Sequence, residues 1–111
     1  MIDWGEYCRV HSRRSNLLIH IFAVPAFAVA AVLLAVHLAL GNVLWAAAAA
    51  ITAAVAMALQ GVGHRREAEP PRPFTGPGNF LRRWFSEQFV IFPLFVLTGR
   101  WRRQLRKAFD V

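Results

Sequence analysis

The chain has 111 residues, 57% of them hydrophobic, and a formal net charge of +7. Its length sets a single domain, and it is more apolar than an ordinary soluble domain of that size. Residues 15–64 form a run of fifty positions without Asp, Glu, Lys or Arg, a pattern that a bilayer asks for and a watered surface does not. That apolar half argues against nucleic acid as the partner of the positive charge. The charge reads instead as the bias of cytoplasmic membrane flanks and an attraction to anionic lipid headgroups. Cys8 is the single cysteine, which excludes an internal disulfide framework or a Cys-rich metal site.

In chain order, residues 1–15 space Trp4, Tyr7 and Val10 as on a short interfacial helix, with Ser15 or Asn16 placed to cap the next one. Residues 17–40 form the first membrane helix, about 36 Å long. It is longer than a typical signal-peptide core and reads as retained, and Pro25 predicts a kink near residues 21–25. Gly41-Asn42 makes a tight turn. The second membrane helix covers residues 43–64 and carries an alanine-rich face suited to close packing on the first helix, or to a homo-oligomer contact. Residues 69–78 are a Pro/Gly loop. Residues 79–98 are a re-entrant or interfacial helix, because the apolar stretch Phe89–Leu97, broken by Pro93, is too short to span. Within it, Glu87 stands four residues after Arg83, the spacing of a surface pair. Residues 99–111 are a basic tail. The expectation is an all-α membrane protein: a two-helix transmembrane hairpin with both termini cytoplasmic.

The chemistry points to the histidines. His20 lies about 20 residues before the turn and His64 about 22 after it, so on antiparallel helices both stand roughly 30 Å from the turn. His11 precedes the first helix on the same rim. His37, 17 residues beyond His20, is about 25 Å away and cannot join them. Neutral imidazoles bind iron, zinc or copper. If the second helix persists, Glu67 shares a face with His64 and could be a ligand or a supporting carboxylate. Asn16 and Gln60 bound the apolar segments on this rim and could orient an imidazole or a substrate. A structural reading competes: His64 suits a helix C-terminus through the dipole, and His11 suits an interface. His20 is harder to explain that way, since a polar group one turn inside an apolar helix faces a partner or cavity.

The segment YCRVHSRRSNLLIHIFAVP spells Tyr7-x3-His11-x4-Asn16-x3-His20-x4-Pro25. LQGVGHRREAEPP spells Gln60-x2-Gly63-His64-x2-Glu67-x2-Pro70, and the apolar FVIFPLFVL follows. Together these resemble the 2-hydroxy fatty acid dioxygenase family, small membrane proteins of the fungal endoplasmic reticulum with many bacterial relatives. The resemblance implies an Fe(2+)-dependent enzyme of alpha-oxidation. Such an enzyme shortens a 2-hydroxy fatty acid by one carbon with O2 and without 2-oxoglutarate, with His11, His20 and His64 as the metal set. The expectation is therefore an iron oxygenase of a bacterial inner membrane, with Glu67, Asn16 and Gln60 as further candidate catalytic residues. Its rivals are a metal-free lipid-binding scaffold and a redox carrier with haem between His20 and His64.

Overall fold

A computed structural model describes residues 2–109, which form helices joined by turns and loops, with no strand among them. The helices are α1 (Trp4–Arg9), α2 (Arg14–Ala39), α3 (Val43–Arg65), α4 (Pro77–Ser86), α5 (Phe92–Leu97) and α6 (Arg100–Phe109), with a π turn at Glu87–Ile91 joining α4 to α5.

Helices α2 and α3 are long and apolar enough to cross a membrane, with mean hydropathies of 2.6 and 1.9 in their most apolar windows. Only 33% and 22% of those windows is buried among the described residues. Phe22, Leu44 and Trp45 stand 76%, 79% and 64% exposed along them. The two helices meet through small side chains: Ala23, Ala30, Ala46, Ala49 and Ala56 are buried, with Phe27 wedged among them. Alanine lets helix axes approach and pack by dispersion, which is the contact available where water provides no hydrophobic drive. The turn between them needs Gly41, whose φ of +74° falls in the left-handed region. α2 remains helical through Pro25.

The remaining helices cover one end of this pair. Tyr7, Leu17, Val24, Phe92 and Phe95 form a second core, joined by Trp4, Trp101 and Leu105, so that α1, α2, α5 and α6 share one apolar centre. The apolar face of α1 therefore turns inward. The residues read as a basic tail form α6 instead. Trp101, Leu105 and Ala108 give it an inward stripe, the basic residues lie opposite, and Gly99 makes the corner with a φ of +80°. Trp101 donates to the Leu17 carbonyl at 2.9 Å, and Gln104 donates to the carbonyls of Cys8 and His11 at 2.9 and 3.2 Å.

The start of α2 departs from expectation. Arg13 is its N-cap residue, without a side-chain cap bond, and neither Ser15 nor Asn16 fills that role. Glu67 reaches across the fold to the residues that lead into the helix. Its carboxylate accepts bonds from the amides of Ser12 and Arg13, the Ser12 hydroxyl and the Asn16 amide, all between 2.7 and 3.1 Å. A carboxylate at a helix N-terminus satisfies free donors and opposes the helix dipole. This bond ties the end of α3 to the beginning of α2. It also places Asn16 against Gly63, where any Cβ would overlap the Asn16 amide. Gly63→Ala is expected to lower stability by about 1–3 kcal/mol, as overpacking of a closed site does. Thermal unfolding in detergent measures this, and an unchanged midpoint would contradict the close approach.

Candidate metal centre

Three elements bring three imidazoles together. His11 lies just past α1, His20 in the second turn of α2 and His64 in the last turn of α3. Their ring centroids are 4.8–5.0 Å apart, and the ring planes cross at 79–87°. The ligand nitrogens all lie within 4.8 Å of one another. His11 and His20 are 2% and 0% exposed, while His64 is half-buried.

Two of the rings are held in a definite tautomer. Nδ1 of His11 lies 2.9 Å from the Tyr7 carbonyl oxygen, and Nδ1 of His20 lies 3.0 Å from that of Asn16. A carbonyl oxygen only accepts, so each Nδ1 carries the proton and each Nε2 presents a lone pair. Those two Nε2 atoms and Nδ1 of His64 are buried and have no hydrogen-bond partner. Each buried polar atom left unmet costs about 1–3 kcal/mol, so three in one place call for an explanation. One metal ion among them supplies it: movements of about 1 Å per ring bring the nitrogens to the roughly 2.1 Å of a metal–imidazole bond. The three histidines can thus hold a metal ion.

The other residues singled out in the sequence have different places. Asn16 supports the cluster through its main chain, orienting His20, while its side chain braces Glu67 and donates to the Val10 carbonyl. Gln60 does not meet an imidazole. It makes a reciprocal amide pair with Gln88 at 2.9 and 2.6 Å, joining α3 to the π turn. Glu67 is absent from the metal cluster, because α3 ends at Arg65 and the shared face it would need with His64 is lost. Its two oxygens are taken by the α2 N-terminus. His37 is remote, beside Trp45 and Asn42 at the turn, as its spacing requires.

Glu87 was misplaced by the sequence. It does not pair with Arg83, which donates to the Pro73 carbonyl and stacks over Phe74. The Glu87 side chain points inward and is only 19% exposed. Its Oε1 accepts from the Tyr7 hydroxyl at 2.8 Å and stands 3.5 Å from Nε2 of His11. The Tyr7 hydroxyl bond favours the ionised form of this carboxyl. Burial and the neighbouring carboxylate push the Tyr7 phenol well above its usual range, so it stays a donor. Tyr7 also stacks on His11 with centroids 4.0 Å apart. The inward turn of Glu87 follows from Pro93. Lacking an N–H, Pro93 breaks the α-ladder, and the preceding turn widens so that the Phe92 amide reaches the Glu87 carbonyl. That rotation brings Glu87 toward Tyr7 and Gln88 toward Gln60.

Comparison of the chain with family models, curated proteins and solved structures finds no match.

The geometry makes a prediction that separates support from ligation. Purified protein should bind one Co(II), and His20→Ala and His64→Ala should lose it, whereas His37→Ala should not. Glu67→Gln should lower the unfolding midpoint yet keep the bound cobalt. Cobalt retained in both of the first two variants would contradict the three-histidine cluster.

Proposed function

We propose that the chain is an Fe(II)-dependent membrane dioxygenase that shortens 2-hydroxy fatty acids by one carbon. The observation that carries this reading is the set of three buried ring nitrogens, unpartnered and converging, at one end of two apolar helices. A scaffold hairpin has no use for three unmet polar atoms in its core. A haem between His20 and His64 is disfavoured by His11. Its ring is 5.0 and 4.8 Å from the other two, so it occupies the bisecting plane that a macrocycle would need. The motif resemblance then favours iron and a 2-hydroxy acid over other metals and substrates.

In this reading α2 and α3 span a bacterial inner membrane as a hairpin. The termini and α1, α4, α5 and α6 lie at its cytoplasmic border, where the cations meet anionic headgroups. His11, His20 and His64 would hold the ion, which when bound supplies open positions for substrate oxygens and a redox partner for O2. The residues do the rest. The carbonyls of Tyr7 and Asn16 keep two imidazoles in the ligating tautomer. Phe92 and Phe95, 1% and 0% exposed, exclude water from the rings beside them. Exposed Arg65 and Arg66 follow His64 directly and offer the substrate carboxylate a cationic approach. Two apolar grooves of about 550 and 600 Å³ run between α2 and α3 and share Ala26 and Thr52. They offer a path for an acyl tail.

The overall reaction balances with O2 as the only oxidant: RCH(OH)COOH + O2 gives RCOOH + CO2 + H2O. The four electrons needed to reduce O2 all leave the two terminal carbons, so no 2-oxoglutarate is required. The test is anaerobic loading with Fe(II), then 2-hydroxypalmitate and O2 under mass spectrometry. The expected product is pentadecanoate carrying an oxygen-18 atom from labelled O2, reduced to background in His20→Ala. Iron-loaded protein that leaves the hydroxy acid intact would contradict the proposal.

A further inference from the structure

We propose that Glu87 is a ligand of the same metal ion, making the site three imidazoles and one carboxylate, with Tyr7 as its positioning residue. This rests on the metal reading above and adds a residue that neither motif contains.

Two acceptors face one another at this site. His11 gives its Nδ1 proton to the Tyr7 carbonyl, so its Nε2 is a bare lone pair, and Glu87 Oε1 is a carboxylate oxygen only 3.5 Å away. Two such atoms repel unless a positive charge sits beside both. A proton between them is poorly served: at 3.5 Å the contact falls within ion-pair distance but is long for a hydrogen bond, and Nε2 has no hydrogen-bond partner. A separation of this size is what two neighbouring ligands of one ion display. Each lone pair points to a shared third position, and their atoms stand about 3.0–3.5 Å apart when the bonds are about 2.1 Å. The Tyr7 hydroxyl occupies part of Oε1 at 2.8 Å and fixes the rotamer, the support that ligating carboxylates receive.

The chain also builds a device for placing Glu87 there. The π turn at Glu87–Ile91 lies at the helix face opposite His11, and the Gln60–Gln88 pair locks its rotation against α3. A π turn inside an α-helix is frequently found at functional sites. Here it converts a residue at a surface-pair spacing into an inward carboxylate. One donor then comes from each of four parts of the chain: the end of α1, α2, α3 and the π turn.

The experiment uses full-length protein in detergent with Co(II) as the probe, read by binding affinity and by visible absorption. Glu87→Gln should weaken cobalt binding about 10–100-fold and shift the ligand-field bands. Tyr7→Phe should weaken it less. Difference infrared spectra of the unmodified protein, with and without Co(II), should show a carboxylate stretch moving on binding, a readout that does not depend on any variant folding. Wild-type affinity and bands in Glu87→Gln would overturn the assignment, as would infrared spectra with no carboxylate change. In either case cobalt loss in His20→Ala would leave the histidine cluster standing. Failure of the unmodified protein to bind cobalt would overturn both.

Discussion

A neutral imidazole that gives its Nδ1 proton to a carbonyl has nothing left to donate, and its Nε2 lone pair must meet a hydrogen-bond donor or a cation, or stay unmet. The chain uses this device twice, with the carbonyl four residues earlier each time: Tyr7 for His11 and Asn16 for His20. At His11 the carbonyl is free because α1 has ended and its last acceptors lack helical donors. In both cases local backbone geometry aims a side chain before any tertiary contact is made. Burial then leaves those lone pairs in need of a donor or a cation. Most of the remaining polar architecture keeps those rings in register.

That architecture is a set of ties between helix ends. Glu67 joins the end of α3 to the start of α2, and so sets His64 and His20 at one level. The close contact of Gly63 with Asn16 belongs to the same joint and leaves no space for a larger residue. Gln60 and Gln88 fasten α3 to the π turn, and Gln104 on α6 holds the segment carrying His11. Long apolar helices packed through alanines specify distance well but axial position weakly, since one small side chain resembles the next. These polar joints at one end supply the missing register.

How much of this could be read from the sequence depended on the range of the interaction. The two long helices and their turn are local facts of hydropathy, and counting residues from Gly41 was enough to put His20 and His64 at one depth and to exclude His37. The role of Glu67 was not legible, because it rested on α3 continuing two residues further than it does. Once the helix stops, the strongest attraction for that carboxylate is the uncapped N-terminus of α2, 51 to 55 positions away along the chain. Glu87 was hidden for a similar reason. Its four-residue spacing from Arg83 suggested a surface pair, and only the widened turn ahead of Pro93 rotates it inward. The Trp101, Leu105 and Ala108 spacing in the tail did carry a signal for α6, but the density of arginines obscured it.

The convergence of imidazoles from three separate elements on one ion is tested most directly by X-ray absorption at the iron edge of the Fe(II)-loaded protein. The expected result is a shell of nitrogen and oxygen donors near about 2.1 Å, with the outer scattering of roughly three imidazole rings behind it. A spectrum with light donors but no imidazole scattering, or with scattering from a single ring, would contradict it.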